Sequence, residues 1–189
     1  MERQQSDMFI KTRKLFLCFF VFFCAQTSVS CYQNKKEIEK YHFKVSIELI
    51  TYRENTIQLF YIINADDAYS GKLSLSKKTK ASPNLQKLIF ELPFGVKAKN
   101  VRIDLGENEN INDCLQIENI RFEYKNRILN GKNGLYKSWF IFNENVIQGK
   151  SGNGFCLKKV GDLFDPQLNG NRELNAKLVK LFPPDIHEK

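Results

Sequence analysis

Histidine is almost missing from this chain. It occurs twice, as His42 and as His187 close to the end. A nucleophile activated by a neighbouring imidazole needs a histidine among other catalytic groups, and neither position offers a Ser–His or Cys–His arrangement. No cysteines and histidines stand at zinc-ligand spacing. Arginine is scarce too. The net charge of +8 comes mostly from lysine, scattered along a chain that is also rich in asparagine. Readers of phosphate and base edges rely on arginine forks, so codon bias explains the charge better than nucleic acid, and no nucleic-acid partner is expected. The tightest cluster, Lys77, Lys78 and Lys80, reads as a solvated turn. Runs long enough to span a bilayer are also lacking. The longest apolar run, LFLCFFVFFCA at residues 15–25, would be about 16 Å long as a helix against about 30 Å of hydrocarbon.

That short run has a different reading. Lys11, Arg13 and Lys14 precede it, and the small polar stretch QTSVS follows it, ending before Cys31. A cationic start, an apolar centre and a small-residue junction describe an export signal, assigned to residues 1–30. Ser28 and Ser30 suit ordinary signal peptidase. The same SVSC resembles a bacterial lipobox, in which Cys31 is acylated, although Ser28 stands where an apolar residue is usual. Acylation with two or three chains gives a stable membrane anchor. Ordinary cleavage is the first alternative, and an uncleaved anchor the second. Residues 31–41, including YQNKKEIEK, read as a polar tether. The expected location is the bacterial cell envelope, lipid-anchored, with a soluble periplasmic or secreted form as the alternative.

Cys18 and Cys24 fall inside the removed segment. With Cys31 acylated, Cys114 and Cys156 remain as an even pair, either disulfide-bonded in an oxidising compartment or buried as separate thiols.

From residue 42 to 189 the chain reads as one domain. Its apolar fraction of 42% supports a core, and 13% aromatics favours strands. Residues 43–51, 55–64, 71–76, 85–93, 99–106, 114–124, 135–143 and 154–160 are short apolar runs, several alternating with period two and separated by turns. The phase slips once, at Glu118–Asn119, which predicts a β-bulge. No helix-period stretch separates the strands, so βαβ units are not expected. Only residues 172–182, with Leu174, Leu178, Leu181 and Phe182 at helical spacing, predict a helix, capped by Asn171 and stopped by Pro183 and Pro184, with a terminal strand as the alternative. The fold class is all-β: an antiparallel, jelly-roll-like β-sandwich with a short C-terminal helix.

The order QLFY (58–61), LIFELP (88–93), VRIDLG (101–106), LQIENIRF (115–122) and FDP (164–166) resembles the β-sandwich module of bacterial envelope and polysaccharide-related proteins. That module is similar to galactose-binding-like, carbohydrate-binding jelly rolls. The resemblance spans roughly residues 55–168 and implies a fold more than an activity. It transfers no binding residue.

Candidate chemistry is sparse. Glu91, Asp104 and Glu123 are carboxylates a glycosidase needs only in space, but period two makes them outward-facing polar positions. The loop NADDAYSG offers Asp66 and Asp67 as Ca²⁺ ligands, the one cofactor considered, against an exposed turn bonded to its own backbone; GENEN at 106–110 invites the same reading. Sugar rings stack on aromatic faces, so Trp139, the only tryptophan, is the first ligand-binding candidate, with Tyr61 and Tyr69 behind it. The resulting expectation is an exported, non-catalytic envelope protein that binds a glycan. A structural or assembly protein docking on another envelope protein is the alternative, and a glycan-active enzyme the third reading. A core position for Trp139 would favour docking.

Overall fold

The computed structural model describes residues 41–106, 114–149 and 152–182. The leader, the tether up to Lys40, Cys31, His187 and most of the GENEN loop lie outside the described residues. Among the described residues no helix is long and apolar enough to cross a membrane.

Among the described residues eleven strands form two antiparallel sheets. They are β1 (Lys44–Thr51), β2 (Asn55–Ile62), β3 (Ser74–Thr79), β4 (Ser82–Glu91), β5 (Asn100–Asp104), β6 (Cys114–Tyr124), β7 (Arg127–Asn130), β8 (Phe140–Phe142), β9 (Val146–Gln148), β10 (Gly154–Leu157) and β11 (Gln167–Gly170). The first sheet runs β4-β1-β6-β10-β9, with β7 also paired to β6; the second runs β3-β2-β5-β11-β8. The hairpins β2–β3, β6–β7 and β9–β10 stay within one sheet, and the other connections cross between the sheets. The all-β sandwich is therefore present.

Period two decides which side chains meet. Val45, Ile47 and Leu49 of β1, Leu115, Ile117, Ile120 and Phe122 of β6, and Leu88 and Phe90 of β4 face Ile57, Leu59 and Tyr61 of β2, Val101 and Ile103 of β5, and Leu168 of β11, all buried. The bulge lies where the phase slips. Glu48 pairs with Asn119 but Leu49 pairs with Ile117, so Glu118 is the extra residue, and its insertion keeps both apolar sets pointing inward.

Helix α1 (Arg172–Leu181) buries Leu174, Leu178 and Leu181. Asn171 caps it, accepting from the backbone N–H groups of Glu173 and Leu174 at 2.9 and 3.1 Å. At Gly170 a Cβ would sit 2.0 Å from Asn100 Oδ1 and 2.8 Å from Val101 O, so only glycine lets β11 turn into the helix.

Two elements differ from expectation. Residues 135–143 do not form one strand. Gly134 adopts φ 78°, the 3₁₀ turn Leu135–Trp139 follows, and only Phe140–Phe142 is extended. Likewise, residues 71–73 form a 3₁₀ turn before β3.

Candidate functional site

The outer face of the second sheet carries an ordered polar array. Pairing across β3, β2, β5, β11 and β8 places Ser74, Phe60, Arg102, Asn169 and Ile141 in one row. A second row holds Ser76, Gln58, Asp104 and Gln167. At about 4.8 Å between strands the longer row is roughly 19 Å across.

Arg102 is the centre of this array. Its guanidinium carbon lies 4.2 Å from the Phe60 ring centroid and 5.6 Å from that of Tyr69. Arg102 Nε and Nη2 both reach the Asp104 carboxylate, at 2.8 and 2.9 Å. A two-pronged pair of this kind fixes the plane of the guanidinium. Phe60 points outward by register yet is buried, because Arg102 lies over it. Tyr69 arrives from the loop after β2, and its half-buried phenol is pushed up to about 12 by burial, opposed by the Arg102 charge.

The flanking amides are held as well. Gln58 Nε2 donates to Ser74 Oγ at 3.0 Å. Asn169 Nδ2 donates to Gln167 Oε1 at 3.3 Å, and Gln167 Nε2 donates to Asp165. Because Arg102 and Asp104 cancel, the two rows carry no net charge in a chain of +8. The chemistry on offer is a flat set of amide, carboxylate and hydroxyl groups around a stacked cation, suited to a neutral ligand with many hydroxyls.

Of the sequence candidates, Tyr69 and Asp104 are found here. Trp139 is not a platform: it is 3% exposed and part of the core. The 3₁₀ turn explains this, since residues three apart eclipse and Tyr136 and Trp139 both point inward. Tyr61 is also buried, on the inward face of β2.

Asp66 and Asp67 do not converge as a Ca²⁺ site. Asp67 Oδ2 accepts from Asn64 N and Nδ2 at 3.0 and 3.1 Å, closing its own exposed turn. Among the described residues no three His, Cys, Asp or Glu side chains gather. Glu91 and Glu123 flank Lys44 from the two neighbouring strands, with Glu91 paired to Lys44 and Glu123 to Arg121, while Asp104 sits on the other sheet. Cys114 and Cys156 face each other across β6 and β10 and are joined as a disulfide.

Phe60, Gln58, Gln167 and Asn169 were not singled out by the sequence. Asp104 is an outward-facing position by period two, but nothing in the spacing names the strands beside it or the Arg102 contact. No protein-family model, curated protein or solved structure matched the chain.

Proposed function

We propose that this is an exported, lipid-anchored protein of the bacterial envelope that binds without catalysing, through the outer face of its second sheet, and that its ligand is a glycan. The observation that carries the reading is the Arg102 guanidinium set 4.2 Å from the Phe60 ring centroid and 5.6 Å from that of Tyr69, and clamped by Asp104. Such a group is pre-organised, so little ordering cost remains on binding. The neutral polar rows around it supply donors and acceptors for hydroxyls. The resemblance to carbohydrate-binding jelly rolls supports the ligand class. The leader sequence and Cys31 support the location.

A glycan array probed with the protein tests this. A sugar-selective signal is expected, weakened about thirtyfold by Tyr69→Ala, the roughly 2 kcal/mol typical of one anchor residue, while the far-UV circular dichroism spectrum shows the fold retained. A blank array rejects the reading.

Docking on another envelope protein is the second reading. Burial of Trp139 and Tyr61 removes two stacking platforms, and the edge strand β4 exposes Leu85 (54%) and Ile89 (46%). Pro83 and Lys87 on that strand work against simple strand addition, so the apolar side chains rather than the backbone edge would make the contact. Leu85→Ser with Ile89→Ser should then abolish co-purification with a specific envelope protein.

A further inference from the structure

We propose that the end of the sandwich where the described chain begins is a docking face for an anionic lipid surface, with Phe94, Tyr41 and Lys125 as its contact residues. This rests on reading the leader and Cys31 as an export and anchoring segment.

Phe94 stands at the tip of a tight turn. Val96 N donates to Pro93 O at 3.1 Å, and Gly95 has φ 76°. Turn tips are ordinarily polar or glycine-rich, yet this phenyl ring is 61% exposed. It does not stand alone. The Tyr41 ring centroid lies 6.0 Å away and that of His42 5.8 Å away, so three rings assemble outside the core.

Lys125 provides the charge. It is the first residue of the two-residue loop between β6 and β7, where Tyr124 pairs with Arg127, and its φ is 56°. That backbone region favours glycine or asparagine. A lysine there is held against local preference, and its ammonium sits 4.5 Å from the Tyr41 centroid. Lys97 and the exposed Lys99 lie on the Phe94 loop. Exposed Arg127 adds a further cation, its guanidinium donating to Lys180 O. Exposed rings ringed by lysine and arginine match the headgroup layer, where rings enter the boundary and cations meet anionic lipid.

The chain path gives the reason for this end. Cys31 precedes Tyr41 by ten residues, which covalent geometry lets span at most about 36 Å. A domain anchored within that reach meets the bilayer at high effective concentration, and weak contacts suffice to orient it. The opposite end, where β1 turns into β2, exposes Tyr52 and Leu163. Among the described residues it has no comparable ring cluster with a cation over it.

The experiment is hydrogen exchange by mass spectrometry on the full chain reconstituted in vesicles. Phosphatidylglycerol-containing vesicles are compared with phosphatidylcholine ones. On the anionic vesicles, peptides covering residues 92–99 and 124–127 should exchange several-fold more slowly, and residues 51–55 should not change. Lys125→Gly relieves the turn, so its melting temperature should hold or rise while the protection falls. Phe94→Ser should also lose protection. Equal exchange on both vesicles in a chain that floats with them overturns the docking face and leaves anchoring intact. Protection that both variants retain overturns it as well. Protection in a Cys31→Ala chain that floats like the wild type supports the face and removes the lipid anchor. A chain that floats with neither vesicle overturns both.

Discussion

At Trp139 the indole packs against Phe122, with centroids 6.1 Å apart, and Lys177 lies 5.8 Å over its ring. Truncation there leaves a cavity among residues that cannot all move in. Trp139→Ala should therefore cost about 3–5 kcal/mol, read as a lowered denaturant midpoint. The Tyr136 hydroxyl is the other fixed point of this turn, donating to Ile117 O at 2.8 Å inside the core. Burial raises its pKa, with Glu118 adding to the effect, and burial raises that of Tyr69 too. An unfolded tyrosine ionises near pH 10, so the unfolded chain loses these protons first as pH rises. The stability they contribute is present in full below about pH 10 and is lost as pH rises through the folded values. Urea unfolding across that range should show the decline, and Tyr136→Phe should flatten it. At neutral pH the same change removes the hydroxyl's hydrogen bond to Ile117 O, at roughly 0.5–1.5 kcal/mol.

At the scale of elements, length decided what could be read. β1, β2, β4 and β6 each run eight residues or more, enough for alternation to register, and the bulge in β6 was visible because two phases can be compared on one strand. β7, β9 and β11 have three or four residues, and no period shows in so short a window. The 3₁₀ turn before β8 was hidden for another reason. Its apolar residues also fit a strand, and what excludes one is local: Gly134 is left-handed, and at Gly131 a Cβ would meet Ile120 O at 2.6 Å. The shortest strands need help to stay paired. β10 meets β6 over three residue pairs, one of them Cys114–Cys156. That bridge spans a sequence separation of 42, worth about 4 kcal/mol on the loop-entropy account. Replacing both cysteines by alanine should lower the unfolding free energy by up to that amount. Hydrogen exchange should quicken first in β9 and β10.

Across the whole molecule, the candidate site was the least legible part. Period two assigns Gln58, Arg102 and Gln167 to faces, but not to neighbouring strands. Their meeting depends on β5 lying between β2 and β11, a pairing set by how both sheets close over one core. That same arrangement has a consequence for how the protein is made. β11 is the last of the described strands, yet it is an inner strand of its sheet, between β5 and β8, and α1 follows it directly. Synthesis proceeds from the N-terminus, so β5 and β8 lack the strand that joins them until Gln167–Gly170 is free. A chain stopped before Gln167 should stay soluble only when held by a chaperone, and proteolysis of such fragments should give no protected core. During threading through any narrow passage, ribosomal or membrane, the domain remains an open thread, and it closes in one late step when Gln167–Gly170 is released.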